Sequence, residues 1–229
     1  MRKFLWCEDS KSGYQFWHAV FGVLFPDFTV ETKGSNTRLR KAAEKITADG
    51  NEYYLIMDAA LDNPDVLRET KRLNACIAGK SNIRAIRLHS FEYALLSFEL
   101  LEQWIFAPGD PLRDKRQALL NARRLFIRLF SSGGNGADLQ AFREAFDAYE
   151  SKNSEQIAAK LLFEITRNTG FETGKTRLGD CFILSCCERD GRQSDDHCGL
   201  DAHRISADEK AKLLVERSVL KEAFEGAGL

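Results

Sequence analysis

Tyr53-Tyr54-Leu55-Ile56-Met57-Asp58-Ala59-Ala60-Leu61-Asp62-Asn63 is a short apolar run that ends in an acid and turns on a second one. Polar Gly50-Asn51-Glu52 precedes it and Pro64 follows it. An apolar segment of this length between breakers reads as a buried strand. Asp58 then stands at the carboxyl end of that strand. In open α/β sheets this is the edge where ligands and catalytic groups gather. Arg2-Lys3-Phe4-Leu5-Trp6-Cys7 has the same shape and ends in Glu8-Asp9. Two strands carrying carboxylates to one edge predict a site for a hard divalent cation, which takes a few carboxylate oxygens and keeps several waters. Strand ends also carry acids simply because they reach water, so each stretch alone is a weak signal.

The remaining pattern sets these strands in a βαβαβαβ order. Tyr14, Trp17, His18, Phe21, Leu24 and Phe25 recur at helical spacing, with His18 expected as a hydrogen-bonded histidine on the apolar face. Phe28–Thr32 reads as a second strand. Lys33-Gly34-Ser35-Asn36 then leads into a helix with Leu39, Ala42, Ala43 and Ile46 inward. Backbone N–H groups at such a helix start can bind an anion, with Lys33 assisting. Arg38, Arg40 and Lys41 add local positive charge, either as a phosphate-facing patch or as a solvated helix face. Asp65 to Cys76 is expected to be helical after Pro64. Ile83 to Leu88 is the fourth strand. Ser90 caps a following helix whose inward face is Phe91, Ala94, Leu95, Phe98 and Ile105, with Glu92 in its first turn. Right-handed crossovers then build a small parallel sheet flanked by helices, an α/β fold.

Ala107-Pro108-Gly109-Asp110-Pro111 is the clearest break, and it predicts an α/β domain over 1–107 and a mostly helical region over 108–229. Helices are expected from Leu112 to Phe130, Ala137 to Tyr149 and Ser154 to Thr166. A terminal helix is expected behind a Ser206/Glu209 capping box, with Leu213, Val219, Leu220, Ala223 and Phe224 on its apolar face. The segment 181–203 is rich in cysteine. Cys186, Cys187, Cys198 and His203 would suffice for a tetrahedral zinc site. Their spacing does not match a standard finger, and small buried apolar cysteines are the favoured reading.

The bulk composition excludes several classes. The chain has 229 residues, 44% of them apolar, which suffices for a core and argues against disorder. Its formal net charge of -1 provides no global basic field, so contact with nucleic acid would need a local patch, a metal or a partner. No run approaches about eighteen apolar residues, so no membrane span is expected. The first acids follow four apolar residues, too soon for a signal peptide, and the six cysteines then read as reduced thiols or metal ligands. A cytoplasmic protein is expected.

Residues 1–106 resemble a Toprim domain, the metal-dependent module of topoisomerases, primases and overcoming-lysogenization-defect nucleases. Three motifs carry the likeness: Leu5-Trp6-Cys7-Glu8-Asp9-Ser10-Lys11-Ser12-Gly13-Tyr14, then Thr32-Lys33-Gly34-Ser35-Asn36, then the strand ending at Asp58 with Asp62-Asn63 beyond it. Leu88-His89-Ser90-Phe91-Glu92-Tyr93-Ala94-Leu95-Leu96 is similar to a helix start in standalone Toprim proteins of bacterial mobile elements and phage defence. The resemblance implies a nucleic-acid phosphodiesterase in which Glu8, Asp58 and Asp62 hold Mg²⁺ or Mn²⁺. It also implies that Lys11 and Lys33 meet phosphate, that Glu92 orders the site from behind, and that an ATPase is a partner. Two departures stand out: Ala60 replaces the second acid of the family's Asp-x-Asp, and Asp9 replaces the glycine after its glutamate. They open the alternative of a catalytically impaired subunit that binds a partner or nucleic acid.

Overall fold

The structure is a computed structural model. It describes residues 1–60, 62–131, 140, 152–174, 177–183, 199 and 205–229. The sheet is formed by β1 (Lys3–Cys7), β2 (Phe28–Thr32), β3 (Glu52–Asp58) and β4 (Ile83–Leu88), all parallel, in the order β2-β1-β3-β4. Connecting them are α1 (Ser12–Leu24), α2 (Asn36–Glu44) and α3 (Pro64–Ile77). The chain steps outward from β1 to β2 and then returns past β1 to β3. The direction of winding therefore reverses between β1 and β3, and the crevice above that reversal is the usual ligand position in such sheets.

Side-chain alternation divides the core. Leu5 and Cys7 of β1 join Tyr54 and Ile56 of β3 in the larger cluster, with α1 and helices from beyond β4. Phe4 and Trp6 join Tyr53, Leu55 and Met57 on the opposite face, under Leu39 and Ala43 of α2 and Leu73 of α3. The central strands are covered on both faces, which explains the nearly continuous apolar run in β3. The larger cluster extends from Leu5 to Ala227, across the Pro108-Gly109 turn. Among the described residues, no helix is long and apolar enough to cross a membrane.

Three of the expected helices are broken. The helix after Ser90 divides into α4 (Phe91–Ser97) and α5 (Leu101–Ile105). The buried Arg123 guanidinium donates to the carbonyls of Leu96 and Phe98, both at 2.7 Å, and ends α4 there. The next divides into α6 (Pro111–Lys115) and α7 (Gln117–Ser131) around Arg116, whose buried side chain donates to the carbonyls of Ile165 and Arg167. The terminal helix divides into Ala207–Glu216 and Leu220–Ala227, where Ser218 Oγ donates to the Leu214 carbonyl at 2.6 Å. Each break satisfies carbonyls that a helix end leaves exposed, using partners remote in sequence or a local hydroxyl. The helix Ser154–Thr166 has the expected bounds, with an Asn153/Gln156 capping box. The helix expected over Ala137 to Tyr149 lies outside the described residues, as do Cys186, Cys187, Cys198 and His203.

Candidate functional site: an acidic edge at the sheet reversal

β1 and β3 run in register, with Cys7 opposite Ile56, so the next residues of each strand emerge side by side. Glu8 Oε1 accepts a hydrogen bond from the Asp58 backbone N–H at 2.6 Å. The two acids predicted at one edge are thus in direct contact. Asp9 turns back beneath α1, where its Oδ2 accepts from Trp17 Nε1 at 2.8 Å. Gly13 makes this possible, because a Cβ there would lie 2.4 Å from Asp9 Cγ. Replacing Gly13 with alanine should therefore force Asp9 off Trp17 and destabilise the fold by about 1–3 kcal/mol, as overpacking does. The Trp17 indole N–H resonance and a urea titration would register it; an unmoved resonance would contradict this account.

Two further carboxylates complete the cluster. Glu92, in the first turn of α4, is buried. Glu155 comes from the first turn of the helix Ser154–Thr166, and its Oε2 accepts from Asn63 Nδ2 at 3.1 Å. Burial pushes the Glu8 carboxyl up to about 8, against hydrogen bonds from the Asp58 and Asn36 backbones. Burial likewise raises Glu92 to about 8 and Asp9 to about 6. Asp58 is held well above the usual carboxylate range, first by burial and then by the charges of Asp9, Glu8, Glu92 and Glu155. Glu155 is raised too, chiefly by burial, against hydrogen bonds to Asn63 and Asp58. Ion pairs among the described residues neutralise none of these five acids. Asp58 Oδ1 is buried without a hydrogen-bond partner.

This is the donor set of a hard-cation site: several anionic oxygens, desolvated, with no internal cation. As they stand, no three His, Cys, Asp or Glu side chains among the described residues form a finished metal cage. A bound ion would draw the carboxylates inward. Asp62 faces elsewhere. Its two oxygens accept from the Ser154 N–H at 3.0 and 2.9 Å, and its Oδ1 also accepts from Ser154 Oγ at 2.6 Å. It holds the start of the Glu155 helix against the sheet edge. Ala60, where the family has its second acid, is fully buried.

The predicted phosphate contacts divide similarly. Lys11 is exposed, at the start of α1, with φ 68° and ψ -124°. Such a backbone is strained for any residue but glycine, and strain of this kind collects at functional sites. Lys33 Nζ is bound to Glu31 Oε2 at 2.6 Å and stands 3.7 Å over the Trp6 ring. Of the basic trio on α2, Arg40 is taken by Glu69 and Glu44, which leaves Arg38 and Lys41 on the exposed surface. The N–H of Asn36, in the loop predicted to bind an anion, serves Glu8 instead. His18 is exposed, contrary to expectation, while Phe16, Trp17, Val20 and Phe21 face the core.

The sequence reading marked Glu8 and Asp58 but missed Glu155, which lies about a hundred positions away and looks like an ordinary helix-start acid. Asp9 was visible beside Glu8, but nothing local showed that it bends back under α1. No known family model, characterised protein or solved structure matches this chain.

Proposed function

We propose that this chain is a divalent-metal-dependent phosphodiesterase of nucleic acids, of Toprim type, serving phage defence or mobile-element biology. The observation that supports it best is the buried Asp58 carboxylate, with one unpaired oxygen, surrounded by four other acids and no basic side chain. An uncompensated buried charge is costly, and a chain that retains five of them gains most if a cation arrives.

Glu8 and Asp58 would hold Mg²⁺ or Mn²⁺, with Asp9 and Glu155 close enough to share the ion's charge. The ion would polarise a phosphate oxygen and make bound water nucleophilic. Glu8, poised between protonated and ionised near neutral pH, would exchange a proton with the reacting oxygens. Exposed Lys11 would position a backbone phosphate. Glu92 would support the site from behind, and Asp62 would keep Glu155 in place through Ser154. The second reading, an impaired subunit that binds an ATPase partner or nucleic acid without cutting it, is favoured by Ala60 at the family's second acidic position.

Cleavage assays with Mn²⁺ on single- and double-stranded DNA and RNA separate the two. The enzyme reading expects metal-dependent cutting that Glu8→Gln lowers by about a thousandfold, the scale for loss of a group that both holds the ion and moves a proton. Absence of cutting, alone and with any co-purified ATPase, would select the binding subunit.

A further inference from the structure

A cavity of about 520 Å³ opens beside the acidic edge. Its floor includes Ala59, the residue after Asp58, together with Leu88 and Ala85 of β4. Its far wall is Val219 and Ala223 near the C-terminus. Three rings line the remainder: His89, Tyr93 and Phe130. They also pack on one another, with His89 and Phe130 centroids 4.6 Å apart and Tyr93 and Phe130 5.7 Å apart. Arg87 and Glu222 stand at the cavity as opposite charges. The volume lies within the range of about 300–1,000 Å³ usual for small-molecule sites.

Two buried polar atoms of this lining have no partner, His89 Nδ1 and the Tyr93 hydroxyl. Tyr93 is only 5% exposed, so water does not compensate its hydroxyl. The hydrogen-bond chain around His89 assigns its protons. Ser154 Oγ gives its single proton to Asp62 Oδ1, so at 2.7 Å it can only accept from His89 Nε2. A neutral imidazole protonated on Nε2 leaves Nδ1 as a bare acceptor. The cavity therefore presents one fixed acceptor, one hydroxyl of either sense, and flat aromatic walls. Unsatisfied buried groups in a native protein are rare and call for a partner.

The geometry points to a nucleobase pocket: a planar heteroaromatic ring stacks against the Phe130 and Tyr93 rings, donates an N–H to His89 Nδ1 and bonds the Tyr93 hydroxyl, while Arg87 takes an attached phosphate. An acceptor facing aromatic walls selects a flat ring bearing an N–H over an aliphatic ligand. Base stacking on aromatic side chains is worth about 1–3 kcal/mol and tolerates any base. The base could belong to a free nucleotide or to a strand whose phosphodiester reaches the adjoining acids. The second source rests on the proposed activity, the first does not.

Calorimetric titration of the full chain with AMP, CMP, GMP and UMP, in EDTA, tests the pocket without calling on the metal. We expect binding at or below about 1 mM and no comparable binding of ribose 5-phosphate or inorganic phosphate. Tyr93→Phe removes only an unsatisfied hydroxyl, so the variant keeps its melting temperature and loses about five- to tenfold in affinity. Phe130→Ala loses at least as much through stacking. Short oligonucleotides that bind more tightly than the mononucleotides identify a strand as the source, and mononucleotides that bind alone identify a free nucleotide. The pocket is overturned if no base-bearing probe binds, if ribose 5-phosphate binds equally well, or if both variants bind like the wild type. Nucleotide binding in EDTA without any cleavage in Mn²⁺ would sink the nuclease and leave the pocket standing.

Discussion

Asp58→Asn is expected to stabilise the metal-free protein at pH 8 while abolishing metal-dependent cleavage. Asp58 is fully desolvated and its pKa is raised by burial and by four neighbouring acids. The unfolded chain ionises it freely, so the native state must either keep a proton on it or bury its charge. Asparagine of the same shape avoids both costs, and its amide can still bond Glu155. A gain on the order of 2 kcal/mol fits the range found when uncompensated buried charges are replaced, and such gains at active sites characteristically come with lost function. Urea unfolding in EDTA measures it, with Asp58→Ala as the packing control. If Asp58→Asn instead loses more than about 1 kcal/mol, the carboxylate is a structural hydrogen-bonding group and the cation site loses its main support.

The second large effect is a fall in the stability of the metal-free protein as pH rises from about 6.5 to 8, cancelled by Mn²⁺. Glu8 and Glu92 each have a folded-state pKa raised from 4.5 to about 8. Between those values the folded state binds protons that the unfolded state has released, so stability declines as pH increases. Asp9 acts in the same sense between 3.8 and about 6. His89 works oppositely: burial lowers it from 6.5 to about 4, so the unfolded state binds the extra proton and stability rises with pH across that window. The clean interval is therefore 6.5 to 8, where His89 and Asp9 no longer change. Each fully contributing group is worth about 1.4 kcal/mol per pH unit, so the pair gives a loss on the order of 3 kcal/mol. A cation favours the ionised carboxylates, so saturating Mn²⁺ should flatten the slope and raise the midpoint most at pH 8. A profile that is flat in EDTA, or a slope indifferent to Mn²⁺, would show that the acids neither carry the burial cost nor share an ion.

Much of the architecture was written locally. Alternating or continuous apolar runs between breakers mark all four strands, because a buried strand has little choice but Tyr, Leu, Ile and Met between polar ends. The parallel α/β class follows from that order, since a parallel neighbour requires a crossover. The pairing of Glu8 with Asp58 was legible for the same reason: both terminate strands, and strands of a parallel sheet end at a common edge. The helix breaks at Phe98, Arg116 and Arg217 were not legible. They depend on Arg123, Arg116 and Ser218 reaching helix-end carbonyls, and in the first two cases the partners come together only on folding.

What the sequence alone determined, then, is the set of strands, their parallel order and the delivery of two acids to one edge, all consequences of side-chain periodicity. The tertiary structure alone decided the rest. It assigned Asp62 to Ser154, brought Glu155 to the edge, turned Asp9 under α1 and closed a ring-lined cavity beside Ala59. Those outcomes depend on which distant helix packs over the sheet, and desolvation, which sets the carboxyl chemistry, comes into being only when that packing is complete.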